Sequence, residues 1–139
     1  MMISTRGRYA LRVMVDLAEN GQNGYIAMKD IAGRQGISLK YLEKILPSLV
    51  GEKLVEGMHG KGGGYRLTRK PNEYTVGGIL RLTEGDLAPV ACLECNAEKC
   101  DRAAVCRTLP VWTELNKRIN DYLDSVSLAD LMKRDIDTI

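Results

Sequence analysis

Within eight residues, Ile31-Ala32-Gly33-Arg34-Gln35-Gly36-Ile37-Ser38 supplies a helix end, a glycine turn and a serine suited to cap the next helix. That order leaves few folds open. Upstream, Thr5 to Glu19 places Tyr9, Val13, Met14, Leu17 and Ala18 at helical spacing, and Asn20-Gly21 is a stop. Ala27 to Gln35 reads as a short second helix with Met28, Ile31 and Ala32 inward. The third helix follows Ser38 and turns Leu39, Leu42, Ile45, Leu46 and Leu49 to the core; Pro47 predicts a kink or break inside it. Two β runs come next, Leu54–Met58 and Tyr65–Leu67, joined by His59-Gly60-Lys61-Gly62-Gly63-Gly64. Three short helices followed by a hairpin spell a winged helix-turn-helix: mainly α with a small β-hairpin.

Beyond the hairpin, Thr75 caps a helix through Ile79, Leu80 and Leu82 that ends near Gly85. Leu109 to Val126 predicts an amphipathic helix of about 18 residues, with Trp112, Leu115, Ile119, Tyr122, Leu123 and Val126 on one stripe. Ser127-Leu128-Ala129-Asp130 resembles a capping box and opens a last short helix. The expected division is a winged helix-turn-helix domain over 1–84, a cysteine-rich loop over 85–108, and a long helix followed by a C-terminal helix over 109–139.

All four cysteines, Cys92, Cys95, Cys100 and Cys106, fall in that loop. Thiolates packed this closely in sequence suit a soft metal centre, because no long-range folding is needed to bring them together. The chain is 139 residues long and 45% hydrophobic, enough for one modest core. It has no run of roughly 20 apolar residues and no apolar stretch behind its N-terminal charges, so neither a membrane span nor a secretory leader is expected. A cytoplasmic protein is the default, and there clustered cysteines are more often metal-binding or redox-active than structural disulfides.

The net charge of +2 hides an asymmetry. Residues 1–83 carry 13 Lys+Arg against 7 Asp+Glu, a balance of +6, whereas residues 84–139 carry 7 against 11, a balance of −4. A basic first part points to a polyanionic partner. On the capped helix, Ser38, Lys40, Tyr41, Glu43 and Lys44 form the expected recognition face, with Lys44 directed to guanine acceptors and Glu43 to a cytosine amino group. Arg6, Arg8, Arg12 and Lys61 are placed to meet phosphates. Each feature alone is commonly a solvated face or a turn; the order and the charge together favour double-stranded DNA. The Gly60–Gly64 run is no nucleotide loop, since such loops lead from strand to helix. With His59 as the single histidine, no Ser/His/Asp or Cys/His set arises, and enzymatic catalysis is not expected.

Ser4-Thr5-Arg6-Gly7-Arg8-Tyr9-Ala10, Ile37-Ser38-Leu39-Lys40-Tyr41-Leu42-Glu43 and Gly62-Gly63-Gly64-Tyr65 resemble the IscR/NsrR/CymR family of bacterial regulators, and the likeness extends over nearly the whole chain. The resemblance implies a homodimeric winged-helix transcription factor that binds a pseudo-palindromic operator and dimerises through its long C-terminal helix. It also implies an iron–sulfur cluster, [2Fe–2S] ahead of [4Fe–4S], held by Cys92, Cys100 and Cys106 in the loop before that helix. Its occupancy would set DNA affinity. This chain departs from the pattern in three ways. Leu109 stands where some relatives have a histidine ligand, and Arg8 where one uses an aspartate. Cys95 is extra and is expected as the fourth ligand, giving all-cysteine ligation of the cluster, with a spare thiol as the alternative. His59 stands where relatives often place a wing arginine. Zinc on the four cysteines, a thiol–disulfide switch, and control by a protein partner remain as alternatives.

Overall fold

A computed structural model describes residues 2–133, so the ends of the first and last expected segments lie outside the described residues. Helix α1 (Thr5–Asn20) starts at Ser4, whose hydroxyl accepts the Gly7 N–H at 3.2 Å. Ala10, Val13, Met14, Leu17 and Ala18 form its buried stripe, the central rib of the main core. Helix α2 (Met28–Gln35) begins one residue later than expected, because Ala27 is extended and serves as its N-cap. Of its three inward candidates Ile31 is buried, while Met28 and Ala32 pack only partly. Gly36, at φ +63°, ends the helix in the left-handed conformation that favours glycine.

Helix α3 (Leu39–Gly51) is capped by the Ser38 hydroxyl, which accepts the Tyr41 N–H at 3.1 Å. One expectation is narrowed here and another fails. The helix runs through Pro47 without a break. Pro47 lies on the exposed face, so the Glu43 carbonyl that loses its donor faces water, and buried Leu46 and Leu49 hold the turn on both sides. Leu39, expected in the core, is 49% exposed: it stands at the very start of the helix and joins neither core cluster, although buried Leu46 lies on the same side two turns on.

Strands β1 (Val55–Met58) and β2 (Gly64–Leu67) pair antiparallel, with Val55 opposite Leu67 and Met58 opposite Gly64. Ile26, between α1 and α2, adds a bridge to β2: its N–H donates to the Tyr65 carbonyl and its carbonyl accepts the Tyr65 N–H, both at 2.8 Å. Gly64 is required there; its φ is +150°, and a Cβ would strike the Ile26 carbonyl. At the hairpin base, buried Tyr74 donates its hydroxyl to the Leu54 carbonyl at 2.7 Å and accepts the Thr68 and Arg69 N–H groups, both at 3.0 Å.

Helix α4 (Val76–Glu84) is capped by Thr75 and packs on α1. Its residue Leu82 is exposed. Helix α5 (Leu109–Ser125) stops one residue short of the expected end, since Val126 is extended and buried against Val76, Leu80 and Leu87. No residue of α5 is buried. Helix α6 (Leu128–Met132) opens on the expected capping box, Ser127 with Asp130, and drives Leu128 into the main core beside α1. The fold is thus mainly helical with a winged hairpin. No described helix is long and apolar enough to cross a membrane.

Candidate nucleic-acid interface and cysteine centre

The DNA-binding candidates lie on α1, on α3 and its cap, and in the wing. Lys40, Glu43 and Lys44 are exposed along α3, and none joins an ion pair among the described residues. Tyr41 is only half exposed, its ring edge-on to Tyr9 at 5.2 Å between centroids, so it braces α3 on α1 as much as it faces outward. Arg6 donates to the Ser48 hydroxyl at 3.1 Å, tying the start of α1 to α3, and exposed Arg8 reaches back to the Thr5 hydroxyl. Arg12 lies over the Tyr9 ring and donates to the Gln35 side chain and carbonyl, which occupies much of its capacity for phosphate. His59 and Lys61 stand exposed in the wing, where Gly60 and Gly62 have positive φ and the Gly63 N–H closes a tight turn on the Gly60 carbonyl.

A buried ion-pair network outside the sequence-derived candidates fixes this head. Asp16 is fully buried, and its carboxylate accepts two bonds from Arg34, at 2.7 and 2.9 Å, and one from Gln35 at 2.9 Å. A charge here is tolerated because its acceptors are filled. The signal was an acidic residue on the α1 stripe, three after Val13 and near an arginine on the next helix.

The cysteine loop separates its four thiols into two places. Cys92, in the 3-10 turn Ala91–Leu93, lines one pocket of about 140 Å³ together with Cys100, Cys106, Leu93, Ala103 and Leu109. Cys106 lies at the start of α5 with its sulfur 3.4 Å from the Thr108 hydroxyl. That hydroxyl, with the first amides of α5, holds the Cys106 thiol below its ordinary range. Cys95 lies elsewhere. It lines a second cavity of about 260 Å³ with Arg81, Asp86, Asn116 and Asn120. Its N–H donates to Asp86 at 2.7 Å, and a hydrogen bond to the same carboxylate, reinforced by the carboxylate's charge, pushes the Cys95 thiol up.

Asp86 also accepts the Ala88 N–H at 2.7 Å, so one carboxylate just beyond α4 pins both the start and the middle of the loop. Nearby, Arg81 forks onto Asp124 at 2.7 and 2.9 Å and donates to Asn120 at 2.7 Å, joining α4 to α5. Gly77 lets this joint close, for a Cβ would meet the Asp124 carboxylate. Among the described residues no three His, Cys, Asp or Glu side chains converge tightly enough to hold a single metal ion. A cluster spreads its ligands over more than one metal, and three thiols around one pocket, one of them favoured as thiolate, fit that need.

Residues 3–134 match the profile of Rrf2, described as an iron-dependent transcriptional regulator. The chain belongs to the Rrf2 family. Among its Rrf2-family relatives, the regulator IscR of Aliivibrio salmonicida is 39% identical over 132 residues, covering 95% of this chain and 77% of that protein. Protein rrf2 of Nitratidesulfovibrio vulgaris is 41% identical over 133 residues, covering 96% and 88%. Among solved structures, CymR, the global cysteine regulator of B. subtilis, superimposes with a TM-score of 0.79 at 34% identity, covering 97% of this chain and 98% of that one. IscR of T. potens does so with 0.75 at 35% identity, covering 96% and 87%. This Rrf2-family chain is therefore a winged-helix transcriptional regulator of the IscR and CymR type, and not an enzyme.

Proposed function

We propose that this regulator is a cytoplasmic homodimer that reads a pseudo-palindromic operator with α3 and the wing, and that an iron–sulfur cluster on Cys92, Cys100 and Cys106 sets its DNA affinity. The observation that carries this reading is the shared pocket of those three cysteines at the start of α5, with Cys95 fastened outside it. When bound, such a cluster supplies a centre sensitive to oxygen, nitric oxide and iron supply. The remainder is the work of the chain. Cys106 fastens the loop to α5, Asp86 fastens it to the end of α4, and Arg81 holds α4 on α5 through Asp124 and Asn120. Ordering the loop therefore bears on the angle between the DNA-binding head and α5.

The apolar face of α5 supports dimerisation, since Val111, Trp112, Leu115 and Tyr122 are exposed in the single chain. A second copy of that face is the cover expected for a two-fold assembly. Two heads held at one spacing bind two half-sites, so a change in head angle alters affinity steeply. Mononuclear zinc is less well supported, because its tetrahedral site needs ligands that converge on one point.

The test is anaerobic reconstitution followed by a visible spectrum, iron and sulfide counts, and operator binding with and without cluster. A brown protein with cluster-dependent affinity is expected. Identical affinity in both states would sink the sensing role, and a colourless protein carrying zinc would replace the cluster with a structural metal.

A further inference from the structure

The geometry points to Leu39 as the reader of a thymine methyl group in the major groove, a specificity role that rests on the DNA-binding reading of α3. The other apolar residues on the inner side of α3, Leu42, Ile45, Leu46 and Leu49, are at most 2% exposed. Leu39 is 49% exposed and belongs to neither core cluster. A lone exposed leucine is ordinary on a protein surface. Its position is what separates this one: it is the first residue of α3, between the Ser38 cap and exposed Lys40, at the end of a recognition helix that meets base edges.

Leu39 lies one helical turn before Glu43, so the two share a side of α3, and Lys40 and Lys44 form the adjacent line. In the major groove every base edge offers hydrogen-bonding groups, and thymine alone adds an apolar one, its C5-methyl. An aliphatic side chain set against any other edge strips water from donors or acceptors without replacing it, which is unfavourable. Against thymine it buries methyl on methyl. One turn of helix advances about 5.4 Å, against about 3.4 Å per base step. The thymine therefore lies about one or two steps from the base pair that Glu43 meets. In this arrangement Glu43 and Lys44 read polar edges and Leu39 the apolar one.

The experiment starts from operators recovered by selection out of random duplexes with the wild-type protein. Each thymine is then replaced in turn by uracil, which removes the methyl and nothing else, and binding is measured for wild type and Leu39→Ala. One thymine per half-site should emerge at which uracil weakens wild-type binding about 3- to 5-fold and leaves Leu39→Ala unchanged. Binding of both proteins to random duplex should be equal, which also shows that the variant is folded. Losses from uracil that are the same in both proteins overturn the assignment, as does a Leu39→Ala variant that binds every duplex like wild type. A wild-type protein that selects no sequence overturns the DNA-reading role of α3, and this proposal with it.

Discussion

Asp86 accepts the backbone N–H of Cys95 at 2.7 Å, which fastens the fourth cysteine to the end of α4 and away from the pocket shared by the other three. Spacing along the chain puts Cys95 closer to Cys92 than either Cys100 or Cys106 is. The fold nevertheless sets Cys92 with Cys100 and Cys106 around one pocket and leaves Cys95 lining another.

Cys100→Ala should therefore abolish retention of iron and sulfide after anaerobic reconstitution, while Cys95→Ala keeps both. Iron and sulfide per protomer decide it. Loss of cluster from Cys95→Ala would return that residue to the ligand set.

Asp86 is held below the usual carboxylate range chiefly by the Cys95 and Ala88 amides. A depressed folded pKa means that its clamp is complete above the unfolded value of about 4 and is lost as pH falls through the lower folded value. Amide exchange at Cys95 and Ala88 should stay slow relative to intrinsic rates down to about pH 4 and be fast at all pH values in Asp86→Ala. An unchanged exchange pattern in the variant would show that the loop is pinned by something else.

The apo thiols should titrate apart. The midpoint of alkylation against pH should lie below the ordinary thiol value of about 8.5 for Cys106 and above it for Cys95. Midpoints do not depend on access, so mass spectrometry of each alkylated cysteine reads the environment directly. Thr108→Val should raise the Cys106 midpoint, and Asp86→Asn should lower that of Cys95.

Gly64→Ala places a Cβ against the Ile26 carbonyl at a backbone φ of +150°. The bridge between Ile26 and Tyr65 should open, at a cost of about 2 kcal/mol in urea unfolding, and operator affinity should fall because the wing loses its anchor. Gly62→Ala, with nothing within 4 Å of its Cβ, should cost less, about 1 kcal/mol for the positive φ alone. Equal costs for the two variants would remove the bridge from the account.

Leu115→Lys sets a charge in the exposed apolar face of α5. The variant should keep its helical circular dichroism, and the proposed dimer should dissociate on the order of 10-fold more readily or worse, read by sedimentation velocity. An unaltered sedimentation coefficient across a dilution series would place the dimer contact elsewhere.

Much of this molecule is written locally. Ser4, Ser38, Thr75 and Ser127 each satisfy an amide within three residues, so the helix starts are legible from short windows. The buried residues of α1 and α3 follow from 3.6-residue periodicity, and the glycines of the wing declare a turn. The same local reading failed at Leu39 and did not settle whether the helix would continue through Pro47. A proline's cost depends on which face it occupies, and the exposure of a first helical residue depends on which neighbour lies across from it.

Sequence by itself determined the element types, their order, the basic head and the presence of a thiol-rich loop, because caps, periods and charge counts act within a few residues. Tertiary structure alone decided which groups meet. It paired Asp16 with Arg34, 18 residues apart, and Arg81 with Asp124, 43 apart. It closed the wing on Ile26 and divided the cysteines three and one. Those outcomes turn on packing directions and hydrogen bonds between elements far apart in the chain, and no local pattern encodes them.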